Sequence, residues 1–358
     1  MADNDLLSTF FRDYLRPLRA SETFRQVLEA SNEPLFRPAD MTPMVSANPF
    51  YTKMILSLSF LSEKLSQWEA DGAGKPDHDQ QLIGRIAGLM GKAATRNVIA
   101  CIRLLRVTNP QALPRKEGDR LTLTISQLIS MAVAAEEFFQ EQKIPHSDKG
   151  FLAGLHYDWL KAIMTAKKAP KDASTVLGDA YKEGQRLAQI AHEIGTRVEK
   201  LPNEQFLCAA AWVLPLGQAL MAVRFPKGGG GPSWNEFQTE CAKNPLNHKH
   251  PGLAERYLEN RRFGVTHADL NALYVSAFGI LAPVEKAIGF YRTPWYLERS
   301  CPEQLGVAMV LSIASTLSQK GQKKGESAPL WFSSFHREWM KKNRLTENTL
   351  VKIQVRSE

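Results

Sequence analysis

The stretch Phe50-Tyr-Thr-Lys-Met-Ile-Leu-Ser-Leu-Ser-Phe-Leu-Ser-Glu-Lys-Leu65 carries apolar side chains at Phe50, Met54, Leu58, Leu61 and Leu65. Steps of four, four, three and four residues lay them along one face of an α-helix, which this spacing predicts to end near Gly72. Leu82, Ile86 and Leu89 open a second stripe, which Val98, Ile102 and Leu105 continue as far as Asn109-Pro110. Ile125, Ile129, Val133 and Phe138 or Phe139 form a third. Leu121 to Ile125 comes nearest to strand alternation, but it leads straight into helical spacing. The expected fold is all-α, a multi-helix bundle of about a dozen helices.

Composition narrows the classes further. The chain has 358 residues, 44% hydrophobic and 23% charged, which excludes wholesale disorder, collagen and a coiled-coil rod. A net charge of +8 permits an acidic partner but falls short of the dense basic stripe that marks a nucleic-acid binder. Cys101, Cys208, Cys241 and Cys301 stand far apart with no CxxC, as reduced thiols in a cytoplasmic protein do. Met1 to Asp5 holds two acids and no base, so no export signal is read there. Phe206 to Val223 is 18 residues without a charge, interrupted by Pro215, Gly217 and Gln218. A spanning helix needs ~20 strongly apolar residues, so this segment is expected to be a buried core helix and no membrane span is expected.

Composition shifts suggest an N-terminal helical arm and linker over 1–44, a main helical domain over 45–300, and C-terminal helices with a loosely held tail over 301–358. Lys167 to Ala173 is expected as a basic loop and Gly228 to Gly231 as a flexible surface loop. Gly88-Leu-Met-Gly91-Lys92-Ala93 lacks the first glycine, the hydroxyl residue and the strand that a phosphate loop needs. Gly84, Gly88 and Gly91 are instead expected to let helices approach closely. Cys241, His248 and His250 supply three donors where structural zinc wants four. No nucleophile elbow, HExxH or Cys/His nucleophile pair occurs.

Phe151-Leu-Ala-Gly-Leu-His-Tyr-Asp-Trp-Leu-Lys161 and Phe263-Gly-Val-Thr-His-Ala-Asp-Leu-Asn-Ala-Leu273 resemble two motifs of HDOD domains, relatives of the metal-dependent HD hydrolases. Phe278-Gly-Ile280 and Ala287-Ile288 to Pro294 fall where that family carries its later motifs, so the resemblance covers roughly residues 45–300. In the first motif the family's His and Asp fall on Tyr157 and Asp158. A second segment, Phe206 to Gly217, also resembles that motif and lies at the expected distance before His267; there the pair falls on Trp212 and Val213. Either segment can be the equivalent, which suggests a helical insertion or duplication over about 165–205. The family's paired histidines fall on Tyr291 and Arg292.

The resemblance implies a vestigial pocket of Tyr157, Asp158, Trp212, Val213, His267, Tyr291 and Arg292 that has lost its metal set. No metal and no cofactor are expected. His267 is expected to be a structural histidine near a helix start with Thr266 and Asp269 beside it, and Arg292 to favour anions over divalent cations in the hollow. By resemblance the protein is then a non-enzymatic bacterial signalling or scaffold protein that binds partner proteins. One alternative is a nucleotide phosphohydrolase with an atypical metal set of His156, Asp158, His192 and His267. Another is a nucleic-acid binder using the basic, aromatic C-terminal region, where Lys323, Lys324, Trp331, Phe335, Trp339, Lys341 and Lys342 form a candidate interaction surface. Trp331, Phe335 and Trp339 recur at helical spacing and are expected to pack on the domain with the lysines in water.

Overall fold

The computed structural model describes residues 129–166, 168–228, 231–243, 253–279, 281–320 and 332–356, shorter pieces at 25–27, 37–46 and 95–102, and positions 30, 55, 84, 87 and 88. These residues fold into helices, with no strand among them. In chain order the α-helices are α1 (Thr42–Ser46), α2 (Ser130–Glu141), α3 (Ser147–Ala166), α4 (Lys171–Gly195), α5 (Leu207–Val213), α6 (Leu216–Arg224) and α7 (Trp234–Lys243). They continue as α8 (Leu253–Phe263), α9 (His267–Phe278), α10 (Glu285–Phe290), α11 (Leu297–Ser300), α12 (Pro302–Lys320), α13 (Ser334–Lys342) and α14 (Glu347–Arg356). The stripe from Phe50 to Leu65 lies outside the described residues.

Every residue from Phe151 to Leu160 is buried, so α3 is covered on all sides. It packs against α2 and α5. The chain from Leu207 to Val223 is buried as well except at half-buried Gln218, and it forms two helices because Pro215 interrupts the backbone ladder between α5 and α6. By length and composition Glu204–Arg224 is apolar enough to cross a membrane; its most apolar 18 residues are 94% buried in the bundle. α4 lays one face, including Leu177, Ala180, Gly184, Leu187, Ala191 and Ile194, against α5, α6 and α12. Near the start of α3, Asp148 pairs with Arg96 at 2.9 Å, tying helical residues 95–102 to the bundle.

Several expectations shift once the packing is known. The buried face of α2 is Ala132, Ala135 and Phe139, whereas Val133 is 39% exposed. Small alanines let α2 lie close to α3, which a search for large apolar residues passes over. The loop expected over Lys167 to Ala173 is shorter, since α4 starts at Lys171 directly after Pro170. Residues 165–205 supply α4 to the centre of the bundle. α12, placed by composition in a separate C-terminal piece, packs on α4 and α10. The tail after Asn343 is not loose: α14 buries Leu350 and Ile353 and packs on α4 and α12. A Cβ on Gly84 would stand 3.1 Å from the Thr42 hydroxyl, while one on Gly88 would meet open space, and Gly91 lies outside the described residues.

α4 approaches α5 through Gly184, where a Cβ would stand 2.4 Å from the Trp212 carbonyl oxygen. Gly178, six residues earlier on α4, has nothing within 4 Å of the same position. The two therefore separate backbone propensity from packing. Gly178→Ala is expected to raise stability by about 0.5–1 kcal/mol, because alanine restricts the unfolded chain and meets no clash. Gly184→Ala is expected to lower it by ~1–3 kcal/mol through overpacking. Urea unfolding of both variants checks this, and a Gly184→Ala protein as stable as the parent contradicts the close approach.

Candidate functional site

α9 opens with a capping box. The Thr266 hydroxyl accepts from the Asp269 backbone N–H at 3.1 Å, and an Asp269 carboxylate oxygen accepts from the Thr266 N–H at 3.2 Å. This fixes His267 as the first helical residue, with its ring turned into the bundle and only 2% exposed. Glu259 on α8, itself fully buried, takes two hydrogen bonds from it: Nδ1 to one carboxylate oxygen at 2.6 Å and the backbone N–H to the other at 3.0 Å. On the far side of the ring, Nε2 meets the Tyr291 hydroxyl at 2.9 Å. Burial alone would lower the His267 pKa, but the Glu259 carboxylate outweighs it and holds the imidazole well above its usual value. The Glu259 carboxylate thus favours the protonated imidazole.

Arg292 follows Tyr291 and is 8% exposed. Its guanidinium donates to Glu255 at 3.2 Å and lies over the Tyr291 ring at 4.9 Å, and its Nε–H has no hydrogen-bond partner. Glu255 and Glu259 stand four residues apart on one face of α8, so a single helix supplies both counter-charges. Nearby, Arg256 binds the Thr293 hydroxyl at 2.8 Å and Asp269 at 3.4 Å, which pins α8 to the start of α9 and to the chain after α10.

A cavity of about 430 Å³ opens beside this cluster. Ala180, Leu187, Leu214 and Ser315 are buried in its wall with His267, Tyr291 and Arg292, Arg186 is half-buried, and Asp179 and Lys182 stand exposed at the mouth. Glu183 also lines it and accepts a very short hydrogen bond from Ser318 of α12. The floor exists because α6 and α9 almost touch: a Cβ on Gly217 would stand 2.2 Å from the His267 carbonyl oxygen.

The other pocket residues named by the sequence serve the core. Asp158 caps α2, accepting the backbone N–H of Met131 at 3.1 Å and of Ala132 at 2.8 Å. Burial pushes its pKa up to about 7 against the pull of those two donors. Tyr157 donates to the carbonyls of Ala180 and Trp212, and Trp212 and Val213 are fully buried. His156 donates through Nδ1 to the Leu152 carbonyl and packs edge-on to Phe278, its pKa lowered to about 3 by burial.

The metal set implied by the family does not fit this chemistry. Trp212 and Val213 have no donor for a cation, both Asp158 oxygens are committed to helix amides, and Arg292 is itself a cation. Nor are His156, Asp158, His192 and His267 brought together. Among the described residues, only Glu255, Glu259 and His267 place three ligand atoms within 4.8 Å of one another. There the charged imidazole and Arg292 already neutralise the two carboxylates. Sequence reading missed Glu255 and Glu259, and their one signal was a pair of acids four apart shortly before His267. It also missed Arg186 and Lys182, which look like any solvated helix face.

The C-terminal surface is arranged differently from its sequence pattern. α13 buries His336 and Met340, with Phe332 just before it, so the face toward the core is one position on from the expected stripe. Ser312 of α12 anchors that face by bonding His336 at 2.9 Å. Phe335 and Trp339 are half-buried on its flank, and Lys341 and Lys342 are exposed. Lys323, Lys324 and Trp331 lie outside the described residues, as do His248 and His250. Compared with known protein families, with curated proteins and with solved structures, the chain matches none.

Glu259 and His267 form a buried ion pair, and breaking one side of such a pair is costly. Glu259→Gln is expected to cost about 3–5 kcal/mol by stranding a buried cation, and His267→Ala about 1–3 kcal/mol through the unsatisfied Glu259. The pH dependence has a definite sign. His267 has a folded pKa above its unfolded value of about 6.5, so its contribution is full below that pH and declines as pH rises toward the folded value. The stability gap between the parent and His267→Gln should be wider near about pH 6 than near about pH 9. Denaturant unfolding at both values measures it, and an equal or wider gap at high pH rejects the charged pair.

Proposed function

We propose that the protein is a non-catalytic helical signalling or scaffold module of the HDOD kind, acting in a bacterial cytoplasm and binding partner proteins rather than turning over a substrate. The observation that carries this reading is the work done by the residues at the implied ligand positions. Asp158 caps a helix, Tyr157 bridges two carbonyls, Trp212 and Val213 fill core, and Tyr291 and Arg292 pack against the His267 cluster. A metal hydrolase needs several neutral or anionic donors converging on one open position. The groove beside Tyr257, and exposed aromatics such as Tyr257 and Tyr296, suit docking of a peptide or helix.

One observation favours a second reading, a metal-dependent phosphohydrolase. Glu255, Glu259 and His267 stand close enough to share a cation, and His267 lines a cavity. For a metal to enter, the imidazole would have to lose its proton and Arg292 would have to swing off Glu255. Metal analysis after dialysis, combined with hydrolysis of bis-p-nitrophenyl phosphate in added Mn²⁺ or Zn²⁺, separates the two. The expected result is sub-stoichiometric metal and no turnover. Stoichiometric metal, with activity abolished by both a chelator and Glu255→Gln, would return the enzyme reading to first place.

A further inference from the structure

The cavity between α4, α6, α9, α12 and the end of α10 has a polarity that partner docking does not use. Its buried end holds Arg292, whose Nε–H is without a partner, beside Tyr291 and Ser315. Arg186 comes to the same space from α4, and Lys182, four residues earlier on that face, stands at the mouth. Ala180, Leu187, Leu214 and Pro215 supply an apolar wall. Two acids also line the cavity. Asp179 is exposed at the rim, while Glu183 is turned onto Ser318 of α12 and lies near enough to Arg186 for the two charges to attract.

We propose that this cavity binds a small phosphorylated organic molecule, with the phosphate against Arg186 and Arg292 and the organic body along the Leu187–Leu214 wall. A volume of about 430 Å³ falls within the range of small-ligand sites. Planar guanidiniums arriving from two different elements match the several oxygens of a phosphate, where a single carboxylate would leave donors idle. The site goes beyond the scaffold reading and does not depend on it.

Phenyl phosphate is a suitable probe, with benzoate and phenol as bodies of similar shape lacking the phosphate. Titration calorimetry of the full chain at low salt is expected to show one site for phenyl phosphate and none for phenol, with benzoate weaker by about tenfold or more. Arg186→Gln should weaken phenyl phosphate binding about tenfold and Lys182→Gln, at the mouth, only about two- to threefold. Arg292→Gln should abolish binding, but it removes the partner of Glu255 and can fail to fold, so the half-exposed Arg186 is the deciding position. Equal affinity for phenyl phosphate and benzoate, or an Arg186→Gln protein that binds like the parent, overturns the proposal. Release of phosphate from the probe would support the pocket while removing the non-catalytic reading.

Discussion

A helix buried on every side needs core partners for most of the polar groups it carries, and α3 carries three such residues in a row. His156 donates along its own helix, Tyr157 reaches across to α4 and α5, and Asp158 reaches sideways to the open amides of α2. The Tyr157 and Asp158 bonds fix α4, α5 and α2 around the helix, whereas the His156 bond stays within α3 and leaves Nε2 without a hydrogen-bond partner. The backbone joins in as well: the Tyr274 hydroxyl of α9 donates to the His156 carbonyl at 2.7 Å. Unpaired, any of these groups would cost about 1–3 kcal/mol, a large fraction of a domain's net stability.

The same demand operates where Pro215 breaks the chain between α5 and α6. Carbonyl groups at the end of α5 are left without intrahelical donors, and the Asn271 amide from α9 serves two of them, those of Val213 and Leu214. That bond draws α9 down onto α6, and Gly217 allows the backbones to meet at His267. The ring of His267 is thereby placed between Glu259 and Tyr291, and the space left beside it is the cavity. A proline, an asparagine and a glycine, none of them charged, thus decide where the charged cluster stands.

The all-α class was legible because stripes such as Ile129 to Phe139 repeat at helical spacing, although the face that packs is the alanine face beside it. Phe206 to Val223 was legible as core because Pro215 and the small residues argue against a lipid-facing helix. The roles of Asp158 and Tyr157 were not, since a helix cap or a carbonyl bridge depends on which chain segment arrives from 20 or more residues away. Nor was the Glu259 pairing: a buried acid and a surface acid look alike in sequence until the partner is placed. The shift of the α13 face by one residue has a similar cause, because Ser312 on α12 selects His336 over its aromatic neighbours.

The position of α12 bears on how the chain reaches this state in time. Ser318 bonds Glu183 across 135 positions of sequence, and α14 closes over α4 from still further along. During synthesis α5 and α6 follow α4 closely and can cover their share of its apolar face, but the share that α12 and α14 cover stays open until those helices have been added. At roughly 5–20 residues per second that interval lasts several seconds or more. Through it the part of α4 that awaits α12 and α14 offers apolar surface to whatever lies near the ribosome, a window in which a chaperone has its clearest opportunity.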